Sequence, residues 1–192
     1  MIRFAVLGHL APTAGTFSLN DLPGGAGRMD VLCRCVTASL FLSHDMRRNV
    51  EVYLVLLGPP NPPATILFSG EQVRYLNPDE RSSASLIKKA LALPRGPLFR
   101  ESTPGVFVRT GGLGELLAEH PFALLDESGD DVRQASTLPG TCLLSDHLNL
   151  TDSEQELVRD LPRISVGPLP LHADQAITVL LNETDRRAAG WT

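Results

Sequence analysis

The chain has 192 residues, 43% of them hydrophobic and 20% charged, with a formal net charge of −5. That length buries one good core and not two, and the acidic balance excludes a protein that coats nucleic acid by broad phosphate neutralisation. No apolar run reaches the roughly 18 residues of a membrane span, and the opening Met1 to Leu7 is too short for a signal h-region, so one cytoplasmic domain over residues 1–192 is expected, with neither membrane nor export route.

In chain order, Arg3 to Leu7 reads as a strand, followed by a long Gly/Pro/Thr/Ser-bearing loop through Gly25, of the kind that is usually functional. From Ala26 to about Ser43, Met29, Leu32, Cys33, Val36 and Leu40 recur at three- and four-residue spacing, which predicts a helix with Arg28, Asp30, Arg34 and Thr37 at its edges. The chain has three cysteines; Cys33 and Cys35 have no second Cys/His pair at finger spacing, so core packing is expected and no metal site. Val50 to Leu57 is almost wholly apolar and reads as a buried central strand that ends in the rigid loop Gly58 to Pro63. Strands at Thr65 to Ser69 and Gln72 to Leu76, separated by Gly70-Glu71, predict a hairpin.

Asn77-Pro78-Asp79-Glu80-Arg81 opens a helix to about Leu93, with acids in its first turn. Pro94 to Pro104 reads as a surface loop, Val106 to Arg109 as a weak strand and Gly112 to Glu119 as a short helix. The last third alternates strands (Phe122 to Leu125, Thr141 to Leu144, Ile164 to Val166) with a helix from Thr151 to Asp160. Thr151 and Glu154 stand at capping-box spacing there. A final helix after Pro170 carries Ala173, Ile177, Leu180 and Leu181 on one face. The expected fold class is α/β, a mostly parallel sheet flanked by helices.

In an open α/β sheet ligands bind beyond the carboxyl ends of the strands, which directs attention to three late segments: Leu125 to Asp131, Leu144 to Asn149, and Ile164 to Pro170. Each mixes Gly, Ser, Asp or Pro with backbone free to bond a ligand. Dinucleotide, Walker and α/β-hydrolase fingerprints are absent. Ser145, Asp146 and His147 are adjacent on one turn and cannot orient one another as a hydrolytic triad.

The strings Phe17-Ser18-Leu19-Asn20-Asp21-Leu22-Pro23-Gly24, Gly27-Arg28-Met29-Asp30-Val31-Leu32-Cys33-Arg34-Cys35, Phe41-Leu42-Ser43-His44-Asp45, Asn77-Pro78-Asp79-Glu80-Arg81, Asp146-His147 and Leu171-His172-Ala173 resemble the archaeal tRNA (pseudouridine-N1)-methyltransferase family (TrmY) of the SPOUT superfamily. The resemblance covers essentially the whole chain. It implies a C-terminal trefoil knot that holds S-adenosyl-L-methionine, a homodimer, and methylation of N1 of pseudouridine 54 in the tRNA T-loop. Carried over residue by residue, the cofactor should meet Leu124 or Leu125, the Ser145-Asp146 turn, the loop Ile164-Ser165-Val166-Gly167-Pro168-Leu169, and Leu171.

Two positions depart from the family pattern. Ser145 stands where members typically have Gly, which costs about 1 kcal/mol or more if φ is positive there, and Ala176 stands where they have Cys, a position beside the cofactor. A homologue that binds RNA or cofactor with weak catalysis, and a methyltransferase of another RNA, are the alternatives these departures leave open.

Methyl transfer needs an in-line approach of N1 and a route for its proton. The catalytic candidates are Asp30, Arg28 and Arg34 on the first helix and Asn61 in the rigid loop. Asp30 also fits an exposed helix residue paired with Arg34 at i, i+4. RNA affinity is expected to depend on Arg28, Arg34, Arg95 and Arg100.

Overall fold

The computed structural model of the protein describes residues 1–191. In chain order the strands are β1 (Ile2–Gly8), β2 (Val50–Leu56), β3 (Ala64–Ser69), β4 (Arg100–Thr103), β5 (Val106–Thr110), β6 (Ala123–Asp131), β7 (Thr141–Ser145) and β8 (Arg163–Ser165). The helices are α1 (Met29–Leu40), α2 (Glu80–Leu91), α3 (Leu113–Glu119), α4 (Asp152–Leu157) and α5 (Ala173–Ala188). All eight strands join one sheet in the order β4-β5-β3-β2-β1-β7-β6-β8.

The parallel run read from the sequence is present in β2-β1-β7-β6-β8. The remaining pairings, β2 with β3, β3 with β5 and β5 with β4, are antiparallel, so the sheet as a whole is mixed. At its centre β1 pairs with β2 on one side and β7 on the other. Phe4, Ala5, Val6 and Leu7 are all fully buried. Side chains of a strand alternate between faces, and here both faces are covered: Phe4 and Val6 join a core with α1, α2 and α5, whereas Ala5 and Leu7 join a second core with α3.

Helix α1 places Met29, Leu32, Cys33, Val36 and Leu40 in the first core, as their spacing predicts. Burial pushes the thiols of Cys33 and Cys35 upward, and that of Cys142 up to about 12, so all three are inert packing groups. Helix α1 begins later than the pattern suggested because Gly27 and Arg28 are both left-handed, with φ of 57° and 63°. A Cβ at position 27 would stand 1.9 Å from the Leu10 carbonyl oxygen, so only glycine lets the first loop press against this turn.

Two expectations fail in the antiparallel part of the sheet. Gln72 to Leu76 is not a strand: both edges of β3 are taken, by β2 and β5, so no hairpin partner can pair there. The amides of Gln72 and Val73 instead donate to the Ser69 carbonyl at 3.2 and 2.8 Å. The residues expected as a loop, Pro94 to Pro104, contain the edge strand β4, which turns into β5 at Gly105 with φ 75°. Helix α4 is capped as expected, with Thr151 and Glu154 bonding reciprocally, but it stops at Leu157.

Candidate functional site

Leu124 to Glu127 of β6, with the carboxyl ends of β7 and β8, border a cleft of about 800 Å³ that reaches to the first turn of α5. Leu125 to Asp131, expected as a segment after a strand, belongs to β6 itself, which pairs with β8 both at Leu125 and at Asp130. Leu124, Leu125, Leu144 and Ala176 give it apolar walls, and Ser145, Asp146, Ser165, Val166, Gly167, Leu169 and Leu171 complete the sides. Of the residues the sequence reading proposed for a cofactor, ten therefore meet in one place. Ile164 sits behind them, 8% exposed and packed in the core, and Pro168 lies in the same loop between Gly167 and Leu169.

The loops are shaped by their own hydroxyls. Ser145 donates to the Leu148 carbonyl, and the Ser165 hydroxyl donates to the Gly167 carbonyl at 2.7 Å while accepting from the Gly167 amide. Arg28 and Tyr75 are the non-glycine residues with positive φ among those described, so Ser145 carries no left-handed strain and needs no glycine. Among the described residues, none bonds the backbone of Leu169 or Leu171. These amides and carbonyls are available to a ligand.

Asp146 is turned inward, its side chain 1% exposed. Its carboxylate accepts the amides of His9 and Leu148, each at 2.9 Å, and the His9 Nδ1 at 2.9 Å. His9 reaches on with Nε2 to Glu154 of α4 at 3.0 Å. Burial opposes charge on this imidazole, but bonds and charges from Asp146 and Glu154 outweigh it and raise its pKa. Residue spacing does not point to His9; its place follows from the sheet, since β1 ends at Gly8 and its parallel neighbour β7 leads to Asp146.

Next to the cleft, at the start of α1, Arg28 clamps Asp30 with Nε and Nη2 at 3.0 and 3.1 Å, and Arg34 meets the same carboxylate at 2.8 Å. Arg34 also bonds Glu80 of α2 at 3.3 Å and faces Asp174, in the first turn of α5, at 3.8 Å. Asp30 is thus paired with Arg34 as the spacing suggested, but it is buried, 3% exposed, rather than solvated. Burial works against its charge, yet the two guanidiniums hold its carboxyl below the usual range. Asn61 stands outside this cluster. Its amide donates to Thr13 Oγ1 at 2.9 Å, and its side chain is exposed on the Pro-rich loop. Arg95 donates to the Thr13 carbonyl at 2.6 Å, whereas Arg100 is exposed on edge strand β4.

Residues 1–189 match the family model described as "Putative SAM-dependent RNA methyltransferase". The chain is 56% identical over 191 residues to the tRNA (pseudouridine(54)-N(1))-methyltransferase of Methanocorpusculum labreanum, covering 97% of this chain and 98% of that one. It is 52% identical to the enzyme of the same name from Methanospirillum hungatei, with both chains covered in full. Among solved structures, Archaeoglobus fulgidus Nep1 bound to S-adenosylhomocysteine superposes with a TM-score of 0.69 at 16% identity, over 98% of this chain and 99% of that one. The fold is shared with that protein, and by its sequence the chain belongs to the family of SAM-dependent RNA methyltransferases.

Proposed function

We propose that the protein transfers the methyl group of S-adenosyl-L-methionine to N1 of pseudouridine 54 in the T-loop of tRNA. The observation that carries this reading is the cleft between β6 and the ends of β7 and β8. Its volume of about 800 Å³ and its apolar walls with unbonded backbone suit an adenosine with its amino-acid arm. Leu124, Leu144 and Ala176 would hold the adenine, and the loop Val166 to Leu171 would bond it through main-chain atoms. When bound, the cofactor supplies an electrophilic methyl on a sulfonium centre.

The chain's own work is to place the base and ease the loss of its proton. Asp30 is a poor proton acceptor, because two guanidiniums favour its charged form. Its task is to aim Arg28 and Arg34. Their cationic edges would stabilise the negative charge that spreads to the ring oxygens as N1 gives its proton to solvent water and its electron pair takes the methyl group, with S-adenosylhomocysteine as the leaving product. Arg28 and Arg34 are about a third exposed, so RNA can reach them, and Asn61 would contact the RNA from the neighbouring loop.

The same reading includes a single domain, a trefoil knot and a homodimer. The knot is supported by the path of residues 129–135. Gly129 lies against the backbone of Arg163 and Ile164, Val132 donates to the Ser165 carbonyl at 2.8 Å, and Arg187 of α5 bonds the carbonyls of Val132 and Ala135. The dimer is supported by apolar residues at the cleft mouth, Leu148, Leu169 and Leu171, which are 40%, 71% and 43% exposed. A cytoplasmic location follows from a tRNA substrate.

Calorimetric titration with S-adenosylmethionine, followed by methylation of pseudouridine-containing tRNA, tests the function. Binding without methyl transfer would leave a cofactor-binding homologue, and transfer to another RNA alone would move the substrate. Hydrodynamic mass tests the dimer, since a concentration-independent species near 20.7 kDa would exclude it.

A further inference from the structure

We infer that His9 is a positioning residue for the cofactor cleft: its imidazole, donating from both ring nitrogens to Asp146 and Glu154, ties the end of β1 to the cleft wall formed between β7 and α4. This rests on the functional reading above. His9 is 137 residues from Asp146 and 145 from Glu154, and the three stand at the end of β1, the end of β7 and on α4. The wall they hold is the segment that presents Ser145, His147, Leu148 and Gln155 to the cleft. His9 is not itself among the lining residues, and its side chain is 8% exposed, so its influence passes through the wall.

The geometry fixes the protonation state that works. Nδ1 stands 2.9 Å from a carboxylate oxygen and Nε2 stands 3.0 Å from another. Each contact requires an N–H on the ring, so the pair requires the imidazolium. Glu154 is itself pinned: burial opposes its charge, but the Thr151 amide and hydroxyl and His9 outweigh this and hold its carboxyl below the usual range. None of the six residues of α4 is buried, so this helix has no apolar side chain of its own seated in the core. Its C-cap, Val158, is fully buried in the second core, and the polar tie to His9 fixes the side of the helix that faces the cleft. A neutral ring would turn one lone pair toward a carboxylate; Asp146 is still held by the amides of His9 and Leu148, so the contact that is lost is the one to Glu154.

The charged groups that face His9 are Asp146 and Glu154, with His147 behind Asp146 at 3.4 Å and Arg28 acting on Asp146 from farther away. Because the folded imidazole has its pKa raised, the tie is complete at pH below the ordinary value of 6.5 and is lost as pH rises through the raised value. Cofactor affinity follows the same course.

The test measures binding of S-adenosylhomocysteine by calorimetry from about pH 6 to about pH 9, with ring-nitrogen NMR of His9 as a ligand-free readout. The expected result is a His9 ring protonated on both nitrogens near neutral pH, and affinity that falls roughly tenfold as it deprotonates. His9→Gln should bind weakly and without that slope, raising KM for S-adenosylmethionine by roughly tenfold with kcat little changed. If His9→Gln does not fold, Glu154→Gln serves instead: its amide oxygen still caps Thr151, and the slope should shift to lower pH. Wild-type affinity that is flat across this range, or a singly protonated His9 at neutral pH, overturns the inference and leaves the function standing. Wild-type protein that binds no cofactor at any pH overturns both.

Discussion

The two halves of the sheet use their strand ends differently. In β3, β5 and β4 each strand turns back beside its antiparallel neighbour, and the ends are consumed by connections such as the Pro104-Gly105 turn. That half closes on itself, with Ile66, Phe68 and Val108 fully buried and Arg109 stacked 4.3 Å from the Phe99 ring while it bonds Glu119. In β1, β7, β6 and β8 every strand runs the same way, so all carboxyl ends emerge on one side and their loops must leave over the edge. Both halves are buried at their centres, but only the open half leaves strand ends free to form a site. Binding surface here is a by-product of parallel topology.

Four substitutions distinguish the two halves. The largest effect belongs to the closed half: Phe68→Ala should cost about 3–5 kcal/mol of unfolding free energy, read by denaturant titration, while the protein that remains folded keeps its cofactor affinity. Gly167→Val makes the opposite prediction. A Cβ there meets nothing within 4 Å, so stability should be unchanged while the side chain fills the cleft, weakening S-adenosylmethionine binding by about a hundredfold or more in titration.

Between them stands Asp30→Asn, which removes the charge that holds Arg28 and Arg34. It should destabilise by about 1–3 kcal/mol and lower methyl transfer without changing cofactor affinity. The pH dependence gives a check on sign. The depressed carboxyl contributes stability that is present above its unfolded value of 3.8 and lost as pH falls through the folded value, so the gap between wild type and variant should close in acid. The smallest effect is that of Arg100→Ala on exposed β4, which should lower the salt slope of tRNA binding by less than about one unit. A wild-type slope there would place the RNA on another face.

The legibility of these halves in the sequence also differs. β1 and β2 could be read from residues alone because burial on both faces makes them continuous apolar runs, and α2 because Asp79 caps it through the Ser82 amide. β4 could not, since an edge strand with Arg100 and Glu101 exposed shows no alternation. The hairpin expected at Gly70 failed because the partner of β3 is β5, beyond an intervening helix. For the site, the segments after β7 and β8 were visible as short polar stretches, whereas Leu125 to Asp131, which reads the same way, continues β6 because its exposed polar residues hide the strand. The burial of Asp30 was not, because Glu80 of α2 and Asp174 of α5 close over its arginine partner from distant parts of the chain. His9 was hidden for the same reason, 137 residues from Asp146 and 145 from Glu154.

The central place of β1 has a consequence for synthesis. Its register with β2, from Ile2 against Val50 to Gly8 against Leu56, is available once the first third of the chain has left the ribosome. Its other edge waits for Thr141 to Ser145. Throughout that interval a flat apolar strand edge stays unpaired, which is the situation in which nascent chains associate wrongly. The closed half can assemble early, and the half that carries the site must form last, around an N-terminal strand already in position.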